Sequence, residues 1–309
     1  MNKDTGSLLA SIRDIKLSPP ERKKAGDILA ESGDPRFRDD RWQLPDEADL
    51  GFVQIPAGPF QMGEGNQAHQ VTLKTFYISR YPATVGQFQA FVSATGYSPG
   101  NSDCLKGISN HPVTWVSWYE ARDYCRWLEG KLSTLFEQHE KEIQSRSAGN
   151  AFRRDLISGS YTIDLLSEAE WEKAARGATG FRYPWGSTID PNRANYKDTH
   201  IGTTTPVGCF PSGASPYGIL DMSGNVWNWT RTLWGTSLEN PSFDLPYDPT
   251  DGREDTEAPA EMLRCMRGGA FTVEPARAEA VFRDAVEPNS RDDADGFRAG
   301  LVPIQCSGS

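Results

Sequence analysis

Residues 203–230 read TTTPVGCFPSGASPYGILDMSGNVWNWT. Helical periodicity is missing from this stretch, and glycine and proline recur every few residues. Punctuation of that kind predicts short strands joined by long loops. The same texture surrounds it, in YPWGSTIDPNRANY before (residues 183–196) and in RGGAF and DGFRAGL after (267–271 and 295–301). The whole chain holds 29 Gly, 21 Pro and 9 Trp, so turns supply much of the fold and tryptophans much of the core bulk.

Upstream, regular elements are easier to read. GFVQIPAGPFQMG (51–63) predicts a strand, a turn and a strand, and QVTLKTFYISRYP (70–82) one more. Three helix starts share one signature: Thr84 with Gln87, Ser117 with Glu120, and Ser167 with Glu170. In each, the hydroxyl takes an orphan amide of the first turn while the longer side chain reaches back. Glu168, Glu170 and Glu172 read as acids favoured by the helix dipole. Two polar stretches, 131–164 and 240–261, read as insertions over the surface; in the first, Leu132, Leu135, Phe136 and Ile143 fall at roughly helical spacing.

Residues 1–45 form a separate segment, and 46–309 the main domain. In the first, SPPERKKAGDILAESGDPRF predicts one amphipathic helix, with Ser18 as cap, Gly33 as stop, and Ala25, Ile28 and Leu29 on the apolar face. It resembles the end of a helical-repeat array. A single such unit cannot bury its own face, so it must pack on the main domain or associate with a partner.

A formal charge of −10 argues against a nucleic-acid partner. No apolar run is long enough to span a membrane, and the first residues are charged where a secretion signal is apolar. A cytoplasmic protein is expected. Cys104, Cys125, Cys209, Cys265 and Cys306 are an odd, dispersed set that reads as reduced, mostly buried thiols. The four histidines, His69, His111, His139 and His200, have no ligand-like spacing.

In order along the chain stand IPAGPFQMG, HPVTWVSWYEARDYCRWL, LLSEAEWEKAARG, YPWG, ANY, the 203–230 stretch, RGGAF and DGFRAGL. This series, over residues 51–304, resembles the formylglycine-generating enzyme (sulfatase-modifying factor) family. The resemblance implies an α+β domain with a C-type-lectin-like fold and low regular secondary structure. It also implies an oxidase in which two cysteines after R-x-x-R-G-G hold copper, because soft thiolates suit Cu(I). Counting from Arg267, Gly268 and Gly269, those positions are Val273 and Ala278, so the resemblance does not carry the reaction or the copper. The few histidines also exclude the histidine-rich iron site of a related enzyme type. A structural calcium ion is implied at Asp221, the carbonyls of Gly224 and Val226, and Asn228, where the family has an acid. A second would use Asn195 and the carbonyl of Tyr196.

Between RGGAF and GFR the composition is unusual. Residues 272–295 hold five Ala, four Asp, three Glu, three Val and three Arg, with no Gly, Lys or Leu and no helical or strand period. The arrangement resembles the variable proteins of diversity-generating retroelements, which are mutated there at template adenines. Asp, Ala, Val, Thr and Ser lie one or two changes from AAC; Glu does not. The expected ligand contacts, all on the surface, are Thr272, Val273, Glu274, Glu279, Val281 and Asp284, followed by Val286, Ser290, Asp292, Asp293 and Asp295. Arg267, Arg283 and Arg298 are expected to brace the frame. Three readings stay open: a protein displaying a binding site for a protein or other macromolecule, a sensor module of a larger bacterial signalling protein, and an oxidase with an unrecognised ligand set.

Overall fold

The computed structural model describes residues 3–138, 151–178 and 180–304. The chain opens with a helical hairpin, α1 (Lys3–Arg13) and α2 (Pro19–Glu31), of which only the second was expected. Ser18 and Glu21 close the capping box of α2. Ala25 and Leu29 face inward against Ile12, but Ile28 is 39 % exposed and lies off that face.

The hairpin is seated on the 203–210 loop. Arg22 is fully buried and donates to the carbonyls of Cys209, Asn192 and Leu17. Arg36 pairs with Asp34 and donates to Val207 O. His111 sits between Asp27 and Thr204, 2.9 Å from each, and burial lowers its pKa. A Cβ on Gly26 would come within 2.5 Å of Pro206, so the two segments touch backbone to ring. The apolar face of α2 is therefore covered by α1, and the polar contacts of Arg22, Arg36 and Asp27 hold the segment to the main domain.

Strands follow: β1 (Phe37–Arg38) with β2 (Leu44–Pro45), then β3 (Phe52–Ile55), and the hairpin β4 (Gly58–Met62) and β5 (His69–Leu73). Residues 70–82 hold two strands instead of one. The chain breaks at Lys74 and Thr75, and β6 (Phe76–Ser79) leaves the hairpin to pair with β3. Next come α3 (Val85–Thr95) and α4 (Trp118–Gln138). After them stand α5 (Ala151–Ile157), β7 (Tyr161–Leu165) and α6 (Glu168–Arg176). All three expected capping boxes form. Thr84 exchanges bonds with Gln87, Ser117 with Glu120 and Ser167 with Glu170.

Several of the described residues of the 131–164 stretch lie in the core and not over the surface. Leu132 extends α4 inward, and Phe152, Leu156 and Ile163 are buried in the main core. Phe152 stacks on Phe52 with ring centroids 4.8 Å apart. Ile143 and His139 lie outside the described residues, as does Cys306. The 240–261 loop is largely exposed but pinned from below, since Tyr247, Arg253 and the side chain of Glu254 are buried.

The C-terminal half adds β8 (Trp227–Gly235), β9 (Leu263–Arg267), β10 (Arg283–Val286), β11 (Asp295–Phe297) and β12 (Ala299–Pro303) to two four-stranded sheets.

 The first sheet runs β10-β9-β8-β11, and the second β3-β6-β12-β7, with β12 covering Ala299–Pro303. Arg298 is the one residue between β11 and β12, where the chain passes from one sheet to the other. It is fully buried and donates to the carbonyls of Ser79, Arg80, Leu220 and Asp221 and to Asn228 Oδ1, which ties both sheets to the long loop. Trp118, Trp229 and Phe297 fill the space beside this junction.

Candidate functional site

Strand β9 ends in two glycines with left-handed backbone, Gly268 (φ +97°) and Gly269 (φ +73°). A Cβ on Gly268 would lie 3.0 Å from the Trp171 ring, and one on Gly269 2.7 Å from Arg277 O, so neither position tolerates a side chain. The turn folds residues 270–282 back beneath it. Val273 and Ala278 thereby meet on either side of Gly269: a Cβ there would lie 3.1 Å from Val273 Cγ2 and 2.9 Å from Ala278 Cα. Both are buried, and neither carries a donor atom that could hold copper. Cys265 does not replace them. It lies within β9 opposite Ala285, is fully buried, and burial holds it as a thiol.

The expected contact residues divide by burial. Thr272, Glu274, Asp292 and Asp293 are exposed, while Glu279, Val281, Asp284, Val286 and Ser290 are half-buried. Val273 and Asp295 are buried, against expectation. Val273 packs on the Gly-Gly turn and its carbonyl accepts from Lys197 N–H. Asp295 opens β11 and pairs with Trp227 in the sheet.

Nor do these residues form one patch. Glu274 turns towards Lys197. Glu279 and Val281 line a cleft of about 380 Å³ with Glu64, Trp234 and Leu245. Four aspartates act on one another through space instead. Asp284, Asp292 and Asp293 all act on Asp295, whose carboxyl is pushed up to about 7 by burial and then by those charges. Asp293 is raised as well, by burial and by its bond with Asp292. One cation reaches this group: Arg277 bonds Asp284, with its guanidinium 5.5 Å from the Trp227 ring centroid and 5.4 Å from that of Phe282. Sequence reading passed over Arg277 and Phe282, whose meeting with Trp227 depends on the fold.

Beneath the segment lies a buried ionic network. Glu170 caps α6, but Glu168 and Glu172 do more than favour its dipole. Glu168 accepts from Arg283 Nε at 2.7 Å and Nη2 at 2.9 Å and lies 3.8 Å from Arg253 and 3.6 Å from Arg267. Glu172 bonds Arg176 and Arg267. Arg267, Arg283 and Arg298 thus brace the frame as expected.

The oxygen sets expected for calcium are met by protein donors. Asn228 Oδ1 accepts from Trp171 Nε1 and Arg298 Nε, and Asn228 Nδ2 donates to Val226 O. Asp221 accepts from Gly208 N–H, and Gly224 O from Val226 N–H. The Arg298 guanidinium, on the Asp221 carbonyl, is the cation of this first set. At the second, Asn195 Oδ1 and Tyr196 O converge on the Thr199 hydroxyl. Neither set fits a calcium ion, which needs six to eight free oxygens. A ligand that binds only the native state stabilises it by RT ln(1 + [L]/Kd). Millimolar calcium should therefore leave the melting temperature within about 1 °C of its value in EDTA; a rise of several degrees, lost in Asp221→Ala, would show an ion bound there.

Residues 42–300 match the family model described as the sulfatase-modifying factor enzyme 1-like domain. The chain is 29% identical over 300 residues to the formylglycine-generating enzyme of Mycobacterium tuberculosis, covering 82% of this chain and 98% of that one. It is 27% identical over 276 residues to the serine/threonine-protein kinase Pkn1 of Chlamydia trachomatis, covering 80% of this chain and 37% of the kinase. Among solved structures, PvdO from Pseudomonas aeruginosa superposes with a TM-score of 0.57 at 26% identity, over 81% of this chain and 94% of that one. Treponema denticola variable protein 1 superposes at 0.56 and 22% identity, over 82% and 95%, a likeness of fold. With the family model matching most of its length, the chain belongs to the sulfatase-modifying factor enzyme 1-like family.

Proposed function

We propose that this protein is a non-catalytic binder, displaying residues 272–295 to a macromolecular ligand on a formylglycine-generating-enzyme-like scaffold. One observation carries the reading: Val273 and Ala278, where the resemblance puts the family's copper cysteines, are buried and apolar. Without a soft donor pair, these two positions cannot bind Cu(I) or form a mixed disulfide with a substrate thiol. The scaffold under the segment is rigid, anchored by Arg267 and Arg283, while most polar side chains of the segment point outward. Rigid support with unconstrained surface residues is the usual build of a binding loop. The reading places the protein in the cytoplasm, with reduced thiols, no calcium requirement and a ligand that is not nucleic acid.

Replacing Thr272, Glu274, Glu279, Asp284, Asp292 and Asp293 together with alanine tests it. The ion pairs lost, Lys197–Glu274, Arg277–Asp284 and Arg182–Glu279, are half-exposed surface pairs. Such pairs are screened by solvent and add little to stability. The variant should fold, with unchanged circular dichroism, and lose capture of its ligand. Unfolding of the variant would show that these residues hold the structure together. A retroelement origin of the segment further predicts a near-copy close by in the genome, differing almost only at adenines, beside a reverse transcriptase gene.

The similarity to part of Pkn1 supports a second reading, a sensor module of a signalling protein. A locus with neither near-copy nor reverse transcriptase favours it.

A further inference from the structure

A cavity of about 480 Å³, within the range of small-molecule sites, lies between the N-terminal segment and α3. One wall, with Asp34, Phe37 and Asp39, precedes residue 42, where the family match begins. The other comes from α3 and from Ser109 and Asn110. Asn110 is 1 % exposed, and its amide nitrogen donates to Gly26 O at 2.9 Å and Asp34 Oδ2 at 2.8 Å. Both partners are acceptors, which fixes the orientation of the amide and leaves Oδ1 with nothing to accept from. A buried acceptor without a donor is costly. The hydroxyls of Ser93 and Ser109, also in the lining, have no partner among the described residues. Gln89 bonds through its amide nitrogen to Leu105 O, so its carbonyl oxygen is left over. Charge is sparse here. Arg36 neutralises Asp34 at 2.6 Å, Asp39 bonds only the Gln43 amide, and no lysine, arginine or histidine lines the cavity. The lining therefore offers neutral acceptors, two hydroxyls and one carboxylate beside the Phe37 ring, and nothing to hold an anion.

We propose that this cavity binds a neutral polyhydroxylated molecule of mono- to disaccharide size. Its hydroxyl hydrogens meet the Gln89 carbonyl and the Asp39 carboxylate, and one reaching inward meets Asn110 Oδ1. Its oxygens accept from Ser93 and Ser109, and its C–H edge packs on Phe37. No residue of 272–295 lines the cavity, so the proposal stands apart from the reading of that segment. Because the two walls belong to the N-terminal segment and to the main domain, an occupant also ties one to the other.

The full chain is tested by saturation-transfer-difference NMR against a panel of neutral mono- and disaccharides, with gluconate and spermidine as charged probes, each at 10 mM. At least one saccharide should give transfer, and the charged probes none that Ala90→Trp removes. Affinity for that saccharide should fall about tenfold in Ser93→Ala/Ser109→Ala, the effect of losing two neutral hydrogen bonds. The melting temperature of this variant should not move, since neither hydroxyl bonds the protein. Ala90→Trp puts an indole into the cavity and should abolish binding. Were Ala90→Trp to misfold by circular dichroism, the serine variant alone decides. The six-fold alanine variant of the displayed segment should bind the saccharide as the wild type does. Absence of transfer from every saccharide would overturn the proposal, as would wild-type affinity in either folded cavity variant. Loss of saccharide binding in the six-fold variant would move the ligand to the displayed segment and overturn it too. Transfer from gluconate or spermidine that Ala90→Trp removes would refute the neutral class of ligand.

Discussion

Glu168→Gln is expected to destabilise the fold by about 3–5 kcal/mol, the cost of removing one partner from a buried ionic network. The substitution keeps the shape and removes only the charge. Glu168 is fully buried and faces Arg283, Arg253 and Arg267 at once. Two of these cations depend on it closely, since Arg253 Nη1 and Arg267 Nη1 have no hydrogen-bond partner of their own. Asp251 and Glu172 bond the other nitrogens of these two arginines, and Glu168 faces the unbonded ones, so a neutral amide leaves the network between α6 and β9 one negative charge short. Urea denaturation measures the effect as a shift of midpoint at unchanged slope. A loss below 1 kcal/mol would mean that water or backbone dipoles neutralise the arginines and that the network is incidental.

Asp295→Asn should act in the opposite direction. An acid whose folded pKa is about 7, against 3.8 as its ordinary value, holds its proton in the folded state where the unfolded chain has lost it. Folding is then weakened progressively as pH rises from about 4 to about 7, and the whole cost is present above 7. At about 1.4 kcal/mol per unit, it reaches up to about 4 kcal/mol. Asparagine carries no charge, so the variant should be more stable than wild type by about 2–4 kcal/mol at pH 8, with the gain nearly gone at pH 4. Urea melts at the two pH values read this directly. A variant less stable than wild type at pH 8 would show that the carboxylate has a partner. A residue that lowers stability where a ligand is expected fits the common conflict between stability and function.

Much of this was legible before the fold was known, because some signals are local. The capping boxes at Thr84, Ser117 and Ser167 involve residues three apart, and all three formed. Gly268 and Gly269 belong to a motif whose backbone excludes side chains. What escaped was long-range. Glu168 and Arg283 are 115 residues apart, and nothing near either names the other. Leu132 and Phe152 sit in a polar stretch, yet one continues α4 and the other packs beneath Phe52. The contact segment was read as a uniform surface, whereas β-pairing with Trp227 draws Asp295 inward and the Gly-Gly turn covers Val273. The oxygen sets around Asn228 and Asn195 looked open in sequence because their occupants, Arg298 and Thr199, come from elsewhere in the fold or from the next turn.

The claim that binding has replaced oxidation on this scaffold is tested most directly by offering the reaction. The protein, loaded with one equivalent of Cu(I), is incubated under oxygen with a cysteine peptide of the sulfatase type, and the product is read by mass spectrometry. With Val273 and Ala278 where the thiol pair would stand, the cysteine should be recovered unchanged. Conversion of that cysteine to formylglycine, dependent on the protein and on copper, would contradict the account.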